Sequence, residues 1–316
     1  MIHTIDQQLT RPSMEFLILM GLWLACFVAG SVVTIPIWMV MTGKSILTMG
    51  EDMKNPAYVH ALKTVQVVST VFIFFFPAYI TARIVTRQPL QHLGFARGVK
   101  WNRALVAALI MLSALPLVAF LADVNKAIPV TAGLKKIFDS FESQYLEQVK
   151  LMATFRTPVD YIVAVVVIAF FPALVEEVFF RGAMQAIFTR WYGNPWLAIL
   201  VTAVIFSAIH FSWYGFLPRI TLGIVLGVIF YLSGNVWYSI IGHFFNNALM
   251  VTVLYVQYLK DKKIDLEVGE SAPWWAGVLG AVGLVGFIIL FRRMLATKVH
   301  ADSIAVQTPE EPQTLA

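Results

Sequence analysis

Three short runs in the second half of the chain carry side chains that could move protons. They are Val175-Glu176-Glu177-Val178-Phe179-Phe180-Arg181, Phe206-Ser207-Ala208-Ile209-His210 and His243-Phe244-Phe245-Asn246-Asn247. Adjacent residues on a helix differ by about 100°, so Glu176 and Glu177 cannot share a face. Glu177 and Arg181 stand four apart, the spacing of a helical ion pair. That pairing neutralises Glu177 and leaves Glu176 to point elsewhere. His243 and Asn247 share a face, while Asn246 is rotated away and free to bond another helix. A carboxylate that accepts a proton makes water nucleophilic, and an imidazole can hold that water or share its proton. An imidazole and an amide can donate hydrogen bonds to the oxyanion of a peptide carbonyl. Alternatively, Glu176, His210 and His243 could ligate zinc, with water in the open position. Both schemes give hydrolysis, and these residues leave the cofactor open between zinc and none.

For these groups to meet, the elements that carry them must bring them to one height. Gly193-Asn194-Pro195 reads as a turn between two helices. Glu176 lies 17 residues before Gly193 and His210 lies 16 after Asn194. In an antiparallel hairpin both then sit about 25 Å from the turn, at ~1.5 Å per residue. His243 is only eight residues past the turn at Asn235, about 12 Å up its helix. The three heights agree if the first hairpin projects further than the second. Thr189-Arg190-Trp191-Tyr192 suits such an interfacial tip. The site then lies about a third of the way into a bilayer from the cytoplasmic side.

The bilayer follows from composition. The 316 residues are 59% hydrophobic and 13% charged, with a mean hydropathy of +0.76. Soluble domains are about 45–50% apolar and ~25% charged, so a soluble reading fails. Disorder needs low hydrophobicity, and a single cysteine, Cys26, excludes a disulfide scaffold. The excess of 23 basic over 18 acidic residues forms no basic stripe, which speaks against nucleic acid as a partner. The expected fold is all-α: a polytopic membrane protein with about eight transmembrane helices around a water-filled cavity. The spans run approximately 14–41, 65–84, 104–122, 161–181 and beyond, 195–213, 217–233, 236–259 and 274–290. The sixth is short and carries Arg219 near its start, so it is the least secure. Residues 1–296 form a single transmembrane domain with a motif-bearing core at 160–256, and 297–316 read as a polar disordered tail.

Arg83, Arg87, Arg97, Lys100 and Arg103 fill the second loop, and Arg292, Arg293 and Lys298 follow the last span. The positive-inside rule therefore puts both termini in the cytoplasm, in the inner membrane if the source is bacterial. Residues 123–158 fall outside, where Ile137, Tyr145, Val149 and Met152 suggest an amphipathic interfacial helix. Gly223 and Gly227 form a small-xxx-small packing pattern.

E-E-x-x-x-R at Glu176–Arg181, F-x-x-x-H at Phe206–His210 and H-x-x-x-N at His243–Asn247 resemble, in order, the three motifs of the type II CAAX prenyl endopeptidases and bacteriocin-processing enzymes, the CPBP or Abi group of intramembrane proteases. The resemblance covers roughly residues 160–256. It implies an eight-helix bundle with a conical, water-filled cavity and a membrane-embedded endopeptidase. Glu176 with His210 would activate water, His243 and Asn247 would stabilise the oxyanion, and Glu177 with Arg181 would support them. The group is described as metalloproteases, and a metal-free glutamate mechanism has also been argued for it. The implied partners are a peptide or protein substrate, lipidated in the eukaryotic members, and the bilayer itself. The rival readings are a catalytically silent scaffold or regulator with the same fold, and a transporter using Glu176 and His210 as a proton relay. Neither internal repeats nor broken helices support the last.

Overall fold

The computed structural model describes residues 11–96, 98–262 and 272–305. It is helical, with no strand among the described residues. In chain order the principal helices are α1 (Pro12–Thr42), α2 (Pro56–Val85), α3 (Trp101–Ala127), α4 (Ala132–Met152), α5 (Pro158–Tyr192), α6 (Pro195–Ala208), α7 (Phe216–Ser233), α8 (Val236–Asp261) and α9 (Trp274–Ala305). Among the described residues, seven are long and apolar enough to cross a bilayer: α1, α2, α3, α5, α7, α8 and α9. The protein is thus an all-α polytopic membrane protein.

The short element is the fifth span, not the sixth. α6 has 14 residues, too few for the ~20 a crossing helix needs. It ends because Phe211 takes a left-handed conformation, φ 50°. The expected helix 195–213 therefore gives way to a loop after Ala208, and His210 lies in that loop. α7 keeps its full 18 residues, and Arg219 near its start bonds the Ser212 carbonyl and lines a cavity. The tail expected from 297 is helical as far as Ala305; residues 306–316 and Arg97 of the basic loop lie outside the described residues. Arg103, expected in that loop, is buried and donates to Met294 O at 2.6 Å.

Local chemistry explains the helix ends that matter. Thr157 and Asp160 form a capping box ahead of Pro158 and start α5. Both tight turns are built alike. Gly193 and Gly234, at φ 64° and 60°, close α5 and α7. Asn194 and Asn235 then cap α6 and α8 through their side-chain oxygens.

The offset that the height argument needs is present. Val236 N bonds Gly94 O at 2.9 Å, and a Cβ on Gly182 would stand 2.6 Å from Leu93 O. The residues around Gly94 thus wedge between Gly182 on α5 and the start of α8. This sets the 234–235 turn level with Gly182, well short of the tip at Tyr192. The tip is pinned separately: buried Glu15 of α1 accepts from His92 at 2.9 Å and from Arg190 at 2.7 Å.

Among the described residues, the two largest apolar clusters lie where the motif-bearing helices meet α1 and α2 and where they meet α3 and α9. One gathers Leu19, Phe74, Phe179, Phe180 and Phe206; the other gathers Ile110, Met111, Leu226, Tyr238 and Phe291. Gly223 and Gly227 do serve packing. A Cβ on Gly223 would meet Ala203 at 3.0 Å, and one on Gly227 would meet Gln185 Oε1 at 2.8 Å.

Candidate active site

α5 departs from α-helical geometry on both sides of its acidic pair. Wide π-helical turns occupy Val165–Phe170 and Val178–Gln185. The first directly precedes Phe171-Pro172, where the proline lacks an N–H for the helical ladder. Such turns re-aim the side chains beside them and recur at functional sites.

Glu176 and Glu177 point in different directions, as their adjacency requires. Glu177 is fully buried, with Oε1 3.1 Å from Arg181 Nη1. Arg181 also donates to Gly223 O at 3.2 Å, and its guanidinium lies over the Phe206 ring, 5.0 Å from the centroid. The expected ion pair is therefore present, and Gly223 contributes a carbonyl as well as space. A second partner was not legible in the spacing: His243 Nδ1–H donates to the same Glu177 Oε1 at 2.9 Å.

Glu176, 9% exposed, faces a cavity of about 440 Å³. No group among the described residues hydrogen-bonds its carboxylate, so both oxygens are available to water or substrate. His210, His243, Asn246 and Asn247 line the same cavity. The site residues singled out from the motifs thus converge, with Glu177 and Arg181 behind them.

Both imidazoles are held by the same nitrogen. His210 Nδ1–H donates to Phe206 O at 2.7 Å; a carbonyl only accepts, so the partner assigns this tautomer. His243 is tied through Nδ1 to Glu177. Each ring therefore keeps Nε2 for the cavity. The Phe206 ring packs edge-on against both, its centroid 5.0 Å from His210 and 6.0 Å from His243. Asn246 departs from the expectation that it bonds another helix: its Nδ2 donates to Asn247 Oδ1 at 3.2 Å. That bond leaves the Asn247 Nδ2–H groups as its free donors.

The loop that carries His210 is anchored from α3. Asn125, fully buried, donates to Trp213 O at 2.8 Å and accepts from Leu217 N at 3.0 Å. Asn125→Leu orphans both backbone groups, at about 1–3 kcal/mol each. The expected result is a lower unfolding temperature in detergent together with reduced turnover. Parental values for both would mean that the loop holds itself.

α4 also differs from its expectation. Ile137 is exposed, but Tyr145, Val149 and Met152 line the cavity rather than a lipid surface. The helix roofs the site, held by the Phe138–Trp213 stack at 4.7 Å and by Ser212 Oγ donating to Glu142 at 2.7 Å. Lys135 and the Tyr214 hydroxyl hold the Asp139 carboxyl below its ordinary range.

The zinc alternative can be tested against the donors. Among the described residues, no three His, Cys, Asp or Glu side chains stand close enough to share a metal ion. As placed, Glu176, His210 and His243 do not gather into such a group, although the Nδ1 bonds of the two rings would themselves allow ligation through Nε2. What the arrangement offers is a free carboxylate, two imidazole nitrogens and an amide donor on one cavity.

Residues 158–249 match the family model described as type II CAAX prenyl endopeptidase Rce1-like. The match spans all three motifs and agrees with the resemblance to the CPBP group. No curated protein and no solved structure matches the chain significantly. At family level the match supports a CAAX-protease-like intramembrane endopeptidase.

Proposed function

We propose that this chain, whose residues 158–249 carry the type II CAAX prenyl endopeptidase Rce1-like match, is an intramembrane endopeptidase that hydrolyses a peptide bond with water activated by Glu176 and His210. The observation that carries the reading is the unpartnered Glu176 carboxylate on a cavity shared with two imidazoles tied at Nδ1. In this scheme water sits between Glu176 and His210 Nε2 and attacks the peptide carbonyl as Glu176 takes its proton. The developing oxyanion accepts from Asn247 Nδ2–H and from Nε2–H of His243 in its imidazolium form. Glu177, bonded to Nδ1, orients that ring. The proton on Glu176 then passes to the leaving nitrogen, so the scheme needs no metal. Met111, Ile168, Leu222 and Met250 give the rest of the cavity an apolar lining suited to aliphatic substrate side chains. The end of the bundle bearing Arg83, Arg87 and Lys100 is taken as cytoplasmic.

The test is cleavage by purified protein in liposomes, in ¹⁸O-labelled water, with an S-farnesylated CAAX peptide. Expected are a shortened peptide with one ¹⁸O in its new carboxylate, and a rate unaffected by a zinc chelator. Folded protein that leaves the peptide intact would favour a silent scaffold. Activity lost to chelation and restored by zinc would overturn the metal-free scheme.

A further inference from the structure

Arg219 stands where a cation has little reason to be. It lies within the first four residues of α7, where the positive end of the helix dipole disfavours it. It belongs to a span, where charge is costly and marks function. It also lines the cavity of Glu176 and His210, yet among the described residues no carboxylate lies within ion-pair distance of it. The nearby acid of α4, Glu142, accepts from Ser212 instead.

The guanidinium is nonetheless held in place. One Nη donates to Ser212 O at 2.7 Å, and Cζ lies 5.7 Å from the Tyr145 ring centroid. The group lies across Gly215, where a Cβ would stand 2.6 Å from both Nη atoms. Nε is buried with no partner. A fixed guanidinium fork without a direct ion-pair partner among the described residues, in a chiefly apolar cavity, is suited to receive an anion at the N–H groups that Ser212 does not engage.

We infer that Arg219 anchors a carboxylate of the bound peptide and so sets which peptide bond reaches Glu176. The inference rests on the endopeptidase reading and adds a specificity determinant to it. The carboxylate has two sources, the free C-terminus of the peptide or an acidic side chain near the scissile bond. In both cases the anchor contributes to binding rather than to the chemical step. Its loss therefore raises KM and leaves kcat nearly unchanged.

The experiment uses the full chain in nanodiscs and three forms of one fluorescent S-farnesylated CAAX peptide: the free acid, the C-terminal amide, and an amide ending in Glu. Binding is measured on the Glu176→Gln protein with and without Arg219→Gln, and KM on the single Arg219 variants. With Arg219 present, a carboxylate form binds about tenfold more tightly than the plain amide. The free acid leads if the C-terminus is the source, and the Glu amide leads if a side chain is. With Arg219→Gln the preference falls below about twofold, and Arg219→Lys restores part of it. Gly215→Ala gives a second route that leaves the arginine in place. Its backbone, at φ −96°, accepts alanine, and the new methyl displaces the guanidinium. Equal weakening of all three peptides by Arg219→Gln, or no preference with Arg219 present, overturns the anchor while cleavage stands. Failure of the parental protein to cleave any form overturns the endopeptidase reading itself, and the anchor with it.

Discussion

Glu176→Gln is expected to lower kcat by about 10²–10⁴-fold, the range for loss of a positioned general base. The fold should be unaffected. Glu176 hydrogen-bonds no described group, so the amide orphans nothing, and its similar volume keeps the cavity wall. The variant should therefore unfold at the parental temperature in detergent and elute at the parental volume, while hydrolysis disappears. Retained turnover would remove Glu176 from the chemistry. Lost turnover with lost folding would show instead that the carboxylate is structural.

The opposite signature is expected one residue along. Glu177 neutralises Arg181 and holds Nδ1 of His243. Glu177→Ala leaves a buried guanidinium without a counter-charge and an imidazole without its orienting acceptor. Breaking a buried pair from one side costs about 3–5 kcal/mol, a large part of the stability of most domains. Both stability and turnover should fall. Arg181→Ala should behave similarly, since it strands the carboxylate and removes the bond to Gly223 O. Glu177→Gln keeps an acceptor for His243 and should retain more activity than Glu177→Ala. Thermal unfolding beside the peptide assay distinguishes these cases. Parental stability in both alanine variants would mean the pair contributes nothing net.

Much of this site could be read from spacing because helices convert sequence distance into geometry. Adjacency forced Glu176 and Glu177 apart, and a separation of four residues joined Glu177 to Arg181. Equal distances from Gly193-Asn194 predicted a common height for Glu176 and His210, and the two do line one cavity, although His210 lies past the end of α6. What escaped the sequence depends on contacts between distant segments. Glu177 already had a partner by spacing, so its bond to His243, 66 residues away, gave no local signal. The early end of α6 rests on a left-handed Phe211 and on Asn125 of α3, 88 residues from Trp213. Nothing in the run Ile205–Trp213 announces that break. α4 showed the right amphipathic pattern, but a pattern cannot say whether its apolar face meets lipid or a cavity. Arg219 was legible as a misplaced charge; the fork it presents became visible only with Gly215 and Tyr145 beside it.

The central claim is that Glu176 and His210 act as one unit on one water molecule. Single-turnover rates of Glu176→Gln, His210→Ala and the double variant on a single peptide test it most directly, because groups that share a step are strongly non-additive. The account predicts that the double variant is no slower than the worse single variant. Losses that multiply, or a parental rate in either single variant, would contradict it.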